Sequence, residues 1–540
     1  MKRVVRLAAF ALAVSCVLGA AGGAAFAGGD RQREKARRAL REGEFETAEK
    51  IYRELVERDA KDLPARLGLS YAQLKQRNLR DAYDNAARVV AVDPLSPRAH
   101  ALLGSVLLAG GDFAQSAEEL KTAVTLDERE ALAVAGLSMI SFYENRPSAA
   151  LAGLRRAVAI DPEEPDFLFS YAQAAARSER YREAADAYET FLRIAPRTDA
   201  DRRARIRGLI DFLRFLGAQP NQLYSTSGPA RAEVPFELAN SRPIVEVRLN
   251  NQKRAFRFVL DTGSGMCVVS TGAADRLGMR PIARGGLARA VGGGGRFEIV
   301  YGFLNSIQLG EARVENVPVY IRDFHSTQEQ IDGYLGLSVL IKYLASVDYG
   351  TSTLTLQRDP ERVPAPVAAA TVSPVSAATT AASPRVFDLP IRSTSSGFWS
   401  SAVEFDGLRR PLNFIVDTGA SISVVSQQLH EREDLSGFEQ KARLKIFGAA
   451  GVSENVPLLL VPRVRIGSYT HPHLAAAVLD MAPINETSGF EQTGIIGGNL
   501  LRFFRVTFDF HRGVVRLEML PGYQPPVAVP REGAVTPQGY

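Results

Sequence analysis

Cysteine is nearly absent from this chain: its 540 residues hold two, Cys16 and Cys267. At most one bridge could form, so no disulfide framework underlies the fold and packing alone must hold it. Long apolar runs are missing after the first 27 residues, so no later segment reads as a membrane span. Charge of one sign is not concentrated either. Lys and Arg number 65 against 60 Asp and Glu, a net +5 that is interspersed, with no basic stripe carrying interleaved aromatics. Nucleic-acid binding therefore finds no support. No G-x-S-x-G elbow is present, which removes the usual signature of an α/β-hydrolase triad. At 540 residues the chain exceeds what one hydrophobic core accommodates, and several domains are expected.

The N-terminus reads as an export signal over residues 1–27. "MKRVVR" is a positive leader, "LAAFALAVSCVLGA" an apolar core, and Ala25-Phe26-Ala27 a small-x-small cleavage site. A membrane anchor is the alternative, but the run is rich in Ala and Gly and short for a span. Cys16 raises a lipoprotein option, although Ala13-Val14-Ser15 is a poor lipobox. The reading favours a periplasmic or secreted protein, in a style that suits a Gram-negative bacterium. After cleavage only Cys267 remains, and it reads as a small core residue rather than a nucleophile.

Residues 30–217 repeat themselves. Phe45, Leu79, Phe113, Pro147 and Tyr181 recur at a step of 34, and three residues later come Ala48, Ala82, Ser116, Ala150 and Ala184, all small. Asp59, Asp93, Asp127 and Asp161 keep the step, with Pro94 and Pro162 behind two of them, so Asp-Pro is expected to close one helix and start the next. This resembles the tetratricopeptide repeat. The resemblance implies about five helical hairpins forming an all-α solenoid, closed by the Arg-rich "RTDADRRARIRGLIDFLRFLG", and a concave surface able to hold a protein or peptide partner.

From residue 230 the texture changes to short alternating runs with Gly, Asn and Asp turns, which predicts β structure over 230–358 and again over 386–520. The Pro/Ala/Ser/Thr-rich stretch 359–385 reads as a linker, and 521–540 as a disordered tail. The two β segments are copies. "FVLDTGSGMCVVS" and "FIVDTGASISVVS" match at an offset of 156, Asp261 on Asp417 and Val268 on Val424. Downstream, Gly336 matches Gly497 and Asp348 matches Asp509 at an offset of 161, so the second copy carries about five extra residues. Each copy enters its Asp through two strands and a turn, Asn250-Asn251 in one and Asp406-Gly407 in the other. Each also holds a Gly-rich stretch, "RAVGGGGRFEIVYG" and "KIFGAAGVSENVP". No Lys-Ser/Thr follows either, which argues for a hairpin tip rather than a phosphate loop.

One D-T-G is ordinary turn chemistry. Two in matching frames, each with a downstream hydrophobic-hydrophobic-Gly element (Tyr334-Leu335-Gly336 and Ile495-Ile496-Gly497), resemble the aspartic protease superfamily, closest to its retropepsin-like type. The fold class implied is multidomain: the solenoid, then two all-β retropepsin-like lobes. The resemblance implies that Asp261 and Asp417 are the catalytic pair. Two carboxylates about 3 Å apart cannot both ionise and titrate as a unit, one acting as base on water while the other donates to the scissile carbonyl. It further implies that Thr262 and Thr418 buttress the loops, and that Gly263 and Gly419 let them close. Leu335, Gly336, Ile496 and Gly497 are expected to pack beneath, with two flaps formed around Gly292, Gly293, Gly448 and Gly451.

The copies differ where Ser264 follows one DTG and Ala420 the other. A Ser264 hydroxyl donating to Asp261 is expected to make Asp261 the more acidic member. The chemistry calls for no metal and no other cofactor. His471-Pro-His473 lacks a third ligand cluster and reads as surface residues. The reading is an aspartic endopeptidase of the cell envelope acting on protein or peptide substrates, some of them recruited by the repeats. The alternative is a non-catalytic peptide-binding scaffold. The lobes are expected to pair within one chain, as a pseudo-dimer, or between chains as a swapped homodimer.

Overall fold

A computed structural model describes residues 29–293, 295–324, 330–358, 386–408, 410–448 and 451–522. The expected signal (1–27), the linker (359–385) and the tail beyond 522 lie outside the described residues. Contacts divide the chain into two compact units. One holds the helical residues up to Ile140 with Ser148–Tyr171 and Thr190–Arg203. The other holds Ser141–Pro147, Ala172–Glu189 and the described residues from Ala204 onward.

The first unit is built on the 34-residue step. Helices Phe45–Arg58, Leu79–Val92, Phe113–Leu126 and Pro147–Ile160 begin at the recurring residues, and Leu63–Lys75, Pro97–Ala109 and Ala131–Tyr143 recur at the same step between them. Ala48, Ala82, Ser116 and Ala150 have no exposure, because a larger side chain there would hold neighbouring helices apart. The periodic aspartates work in the turns: Asp59, Asp127 and Asp161 each accept a backbone N–H two residues on, at 2.9, 2.9 and 3.2 Å. Pro94 does not start a helix as expected. Its partner helix begins at Pro97, where Ser96 caps Ala99 and a proline loses no helical hydrogen bond. Lys75 ties distant repeats together through Glu164 (3.0 Å) and Asp166 (2.6 Å).

The second unit carries the β lobes. Lobe 1 comprises β1 (Ser225–Ser227), β2 (Arg231–Ala239), β3 (Arg242–Leu249), β4 (Ala255–Leu260), β5 (Cys267–Ser270), β6 (Ala283–Arg289), β7 (Arg296–Leu309), β8 (Ala312–Arg322), β9 (Gly333–Leu335), β10 (Leu344–Asp348) and β11 (Thr353–Gln357). Lobe 2 comprises β12 (Val386–Ser393), β13 (Trp399–Phe405), β14 (Leu412–Val416), β15 (Ser423–Ser426), β16 (Glu439–Gly448), β17 (Gly451–Ile466), β18 (Tyr469–Leu479), β19 (Gly494–Ile496), β20 (Phe504–Asp509) and β21 (Val514–Met519). The turn into β4 carries Asn250 and Asn251 at φ +49 and +61, the left-handed pair that a tight hairpin demands.

The lobes of this one chain pair with each other. β10 and β20 run antiparallel with Ser346 opposite Thr507, residues related by the 161 offset. The pseudo-two-fold therefore passes through that pair, and Thr507 Oγ1 bonds Ser346 Oγ at 2.9 Å. β11 and β2 extend the sheet on one side, β21 and β12 on the other, giving six strands drawn equally from both lobes. The extra residues of the second copy can be placed. Cys267 pairs with Val319 and Ser423 with Ala476, a partner offset of 157, whereas Leu335 and Ile496 differ by 161. Four of the five thus fall between β18 and β19, where lobe 2 forms the helix Ala482–Ser488.

The closing helix has a second role besides the expected one. Ala200–Gly217, expected to close the solenoid, follows the last repeat and bonds back to it, Arg203 to Leu192 O at 2.6 Å and Arg214 to Glu189 at 2.5 Å, and from Ala204 it is counted in the second unit. Phe212 stacks on Tyr301 of β7 with ring centroids 4.3 Å apart, and Leu216 and Leu223 complete that small core.

Candidate active site

Each DTG loop starts where a buried strand ends. β4 and β14 run parallel to β9 and β19, so Leu335 and Ile496 sit beside the last strand residue before each Asp. Their carbonyls accept the Asp261 and Asp417 amides at 3.0 and 2.9 Å, and both side chains are buried. Gly336 and Gly497 follow because a Cβ there would lie 2.6 Å from the Met266 and Ile422 backbones.

The threonines interlock across the two-fold. Thr262 N donates to Thr418 Oγ1 (3.2 Å) and Thr418 N to Thr262 Oγ1 (3.0 Å). Each hydroxyl then donates to the opposite strand, Thr262 to Val416 O (2.8 Å) and Thr418 to Leu260 O (2.7 Å). All four bonds are buried, where an unmade partner costs about 1–3 kcal/mol. The loops are thereby held as a pair.

The carboxyls meet. Gly263 N donates to Asp261 Oδ1 (2.9 Å) and to Asp417 Oδ1 (3.1 Å), and Gly419 N to Asp417 Oδ1 (2.7 Å). The two carboxyls are also hydrogen-bonded to each other. Desolvation, then the charge of Asp417 and their shared bond, push Asp261 well above the ordinary carboxylate range. Asp417 rises too, again through desolvation. Against that rise, the Gly419 amide, the Asp261 bond and the Gly263 and Ala420 amides favour its ionised form. The proton of the pair therefore rests on Asp261.

This reverses the expected asymmetry. Ser264 Oγ donates to Met266 O at 2.8 Å, a local turn bond, and does not stabilise Asp261 as an anion. Counting amides on each carboxylate decides the order, and Asp417 has more of them.

A stability consequence follows. An acid whose folded pKa lies above its unfolded value binds more protons when folded, so stability falls as pH rises through that window. Asp261→Asn removes the penalty while keeping a donor. Its Tm should exceed the parent's at pH 7 by a few degrees, at roughly 2–4 °C per kcal/mol in domains of 150–250 residues, and the gain should vanish near pH 3.5. Thermal melts at the two pH values test this; a lower Tm at pH 7 would contradict it.

The glycine hairpins approach one another. Gly292 and Gly293 carry φ +77 and +103, Gly451 +132. A Cβ on Gly292 would lie 3.0 Å from Gly448 Cα, and one on Gly293 2.5 Å from Gly451 Cα. Gly293 N donates to Ser453 Oγ at 2.7 Å. Glycine on glycine is what lets two hairpin tips touch. Val291 at the first tip packs in one cluster with Ala420 and Ile422 beside the second DTG.

Some supporting residues were not anticipated. Cys267 Sγ accepts the Gly336 amide at 3.3 Å, and Ser423 Oγ accepts that of Gly497 at 3.1 Å. Position 267 is thus an acceptor as well as core, with burial raising its thiol to about 11. The Cys/Ser match between copies, paired with Ser338 and Asn499 at the 161 offset, was the available signal. His471 is corrected: it is buried rather than on the surface, bonded to Tyr469 Oη at 3.0 Å and stacked on Phe503, with burial lowering it to about 4. His473 is exposed. Among the described residues no group of three or more His, Cys, Asp or Glu is placed to hold a metal.

A helical-repeat unit and a two-lobed β unit with a shared carboxyl pair define a repeat protein joined to a protease-like domain. The comparisons carry this further. A family model described as aspartyl protease matches residues 245–339 and 401–500, and two tetratricopeptide-repeat models match 39–106 and 141–197. The chain thus carries tetratricopeptide repeats followed by an aspartyl protease domain in two segments. Among solved structures, the aspartic proteinase of Irpex lacteus matches 54% of this chain and 98% of its own at 13% identity, TM-score 0.36. A thermophilic tetratricopeptide-repeat protein of Thermus thermophilus matches 34% of this chain and 98% of its own at 21% identity, TM-score 0.30. No curated protein matches at a significant level.

Proposed function

We propose that the protein is an aspartic endopeptidase in which Asp261 and Asp417 form one dyad. The observation that carries this is the Gly263 amide, which donates to both carboxyls at once and so fixes them within reach of a single water. Asp417 takes a proton from that water as it attacks the scissile carbonyl, and the Asp261 proton bonds the developing oxyanion. The tetrahedral diol then collapses as a proton passes to the leaving nitrogen, giving a carboxylic acid and an amine. The meeting glycine tips act as two flaps that close over the peptide and exclude bulk water.

The repeats hold protein substrates or partners, and the protein works in the cell envelope, a placement that rests on the N-terminal signal reading. The scaffold reading keeps the binding and drops the hydrolysis. Incubation of the full chain with an unfolded protein in H₂¹⁸O, from about pH 3.5 to 7.5, separates them. The expected result is new C-termini carrying ¹⁸O; intact substrate at every pH, with peptide bound, would favour the scaffold.

A further inference from the structure

The two halves of this site are not chemically alike, and the strand register shows where. In lobe 1, Tyr320 and Arg322 on β8 lie opposite Val268 and Ser270 on β5, and Tyr334 on β9 lies opposite Val259. In lobe 2 the same positions are Ala477, Leu479 and Ile495. An arginine and two tyrosines in one copy are therefore an alanine, a leucine and an isoleucine in the other.

Arg322 lies close to the chemistry. Its guanidinium sits over Phe297 of β7, the strand that leaves the first glycine tip, at 5.2 Å, and over Phe324 and Tyr334 at 5.9 and 6.0 Å. Tyr334 directly precedes Leu335, whose carbonyl holds the Asp261 amide. The charge of Arg322 is felt by the Asp261 carboxyl. Yet the guanidinium has no carboxylate partner among the described residues, and its buried Nε has no hydrogen bond. Three aromatic faces hold the cation without neutralising it. A guanidinium kept flat and unpaired beside a reaction centre is pre-organised for a planar anion.

Lobe 2 offers the opposite environment. Leu479 and Ile495 join Ile415, Val424, Val456 and Met481 in one apolar cluster.

We infer that the cleft reads substrate polarity: Arg322 binds an acidic side chain on the lobe 1 side of the scissile bond, and the lobe 2 wall takes an aliphatic one. This rests on the dyad reading for hydrolysis but not for binding. The preferred substrate is thus a peptide with Asp or Glu at a fixed position on one side of the cut and Leu, Ile or Val on the other. An uncompensated charge-assisted bond of this kind corresponds to roughly a tenfold preference or more over Gln.

The test is a degenerate peptide library given to the full chain and to Arg322→Met, Arg322→Lys and Arg322→Glu, with cleavage sites and bound peptides both read by mass spectrometry. Acidic enrichment at one position is expected in the parent, retained in part with Lys, lost with Met and turned toward Lys and Arg with Glu. A structural role for Arg322 would lower rates without moving that profile. Cleavage without acidic enrichment in the parent, or with the same enrichment in Arg322→Met and Arg322→Glu, overturns the inference and leaves the dyad standing. Binding with the expected enrichment but no cleavage sinks the dyad and keeps the inference. Neither binding nor cleavage overturns both.

Discussion

Asp261→Asn and Asp417→Asn, each made singly in the full chain, should reduce peptide hydrolysis by about a thousandfold, and by similar factors. The equality is the informative part. Gly263 N and the bond between the carboxyls make one unit of the two groups, so neither half retains a working base and donor when the other is neutralised. Asp417→Asn removes the anion that deprotonates water. Asp261→Asn keeps a donor but loses the proton exchange that resets the pair. General acid–base steps contribute roughly 10²–10⁴-fold, which sets the scale. Peptide binding should survive in both. If one variant kept most of its activity, the lobes would not share a site and the intramolecular pair would be wrong. Asp261→Asn also has the melting behaviour already described, so loss of activity with an unchanged or raised Tm separates chemistry from unfolding.

Much of this site was legible because the chain contains its own comparison. Duplication turned Asp261 from a turn residue into half of a pair, and the same step picked out the threonines, Leu335, Ile496 and the glycine tips. The solenoid was legible for a similar reason, since Ala48 and its successors repeat where backbones must come close. What escaped lies where three-dimensional packing, not residue type or spacing, chooses a side chain's partner. Ser264 was read as a donor to Asp261 because it is three residues on; its hydroxyl instead closes a local turn on Met266. His471 was read as surface because no third ligand cluster accompanies the His471-Pro-His473 pair, though it is buried, bonded to Tyr469 and stacked on Phe503. Arg322 carries no sequence motif at all. Only the β5–β8 register, and its counterpart in lobe 2, show that a charge stands where an apolar residue would do. The Ala200–Gly217 helix follows the repeats where it was expected, but that its apolar residues also pack on Tyr301 of lobe 1 was not legible.

Gly263→Ala and Gly419→Ala should each lower activity by about a hundredfold or more, without removing any group that takes part in the chemistry. A Cβ on Gly419 would stand 2.5 Å from Asp261 Oδ1 and 2.7 Å from its Cγ, and one on Gly263 would press on the Asp417 carboxyl in the same way. No backbone strain is involved, since neither glycine has a positive φ. The methyl must displace a carboxyl, and the interlocked threonines keep the loops from retreating together. A shift of about 1 Å between reacting groups is enough for a hundredfold loss, and overpacking a close-packed site costs about 1–3 kcal/mol of stability. Gly437→Ala serves as the control, because nothing lies within 4 Å of its Cβ position, and it should match the parent. Separation of the carboxyls carries a second signature. Driven apart, they no longer share a proton, so Asp261, relieved of the Asp417 charge and bond, should titrate closer to the ordinary range and its share of the loss of stability with rising pH should flatten. Full activity in both alanine variants, with the parent's pH dependence intact, would mean that the two carboxyls do not meet in solution as they do here.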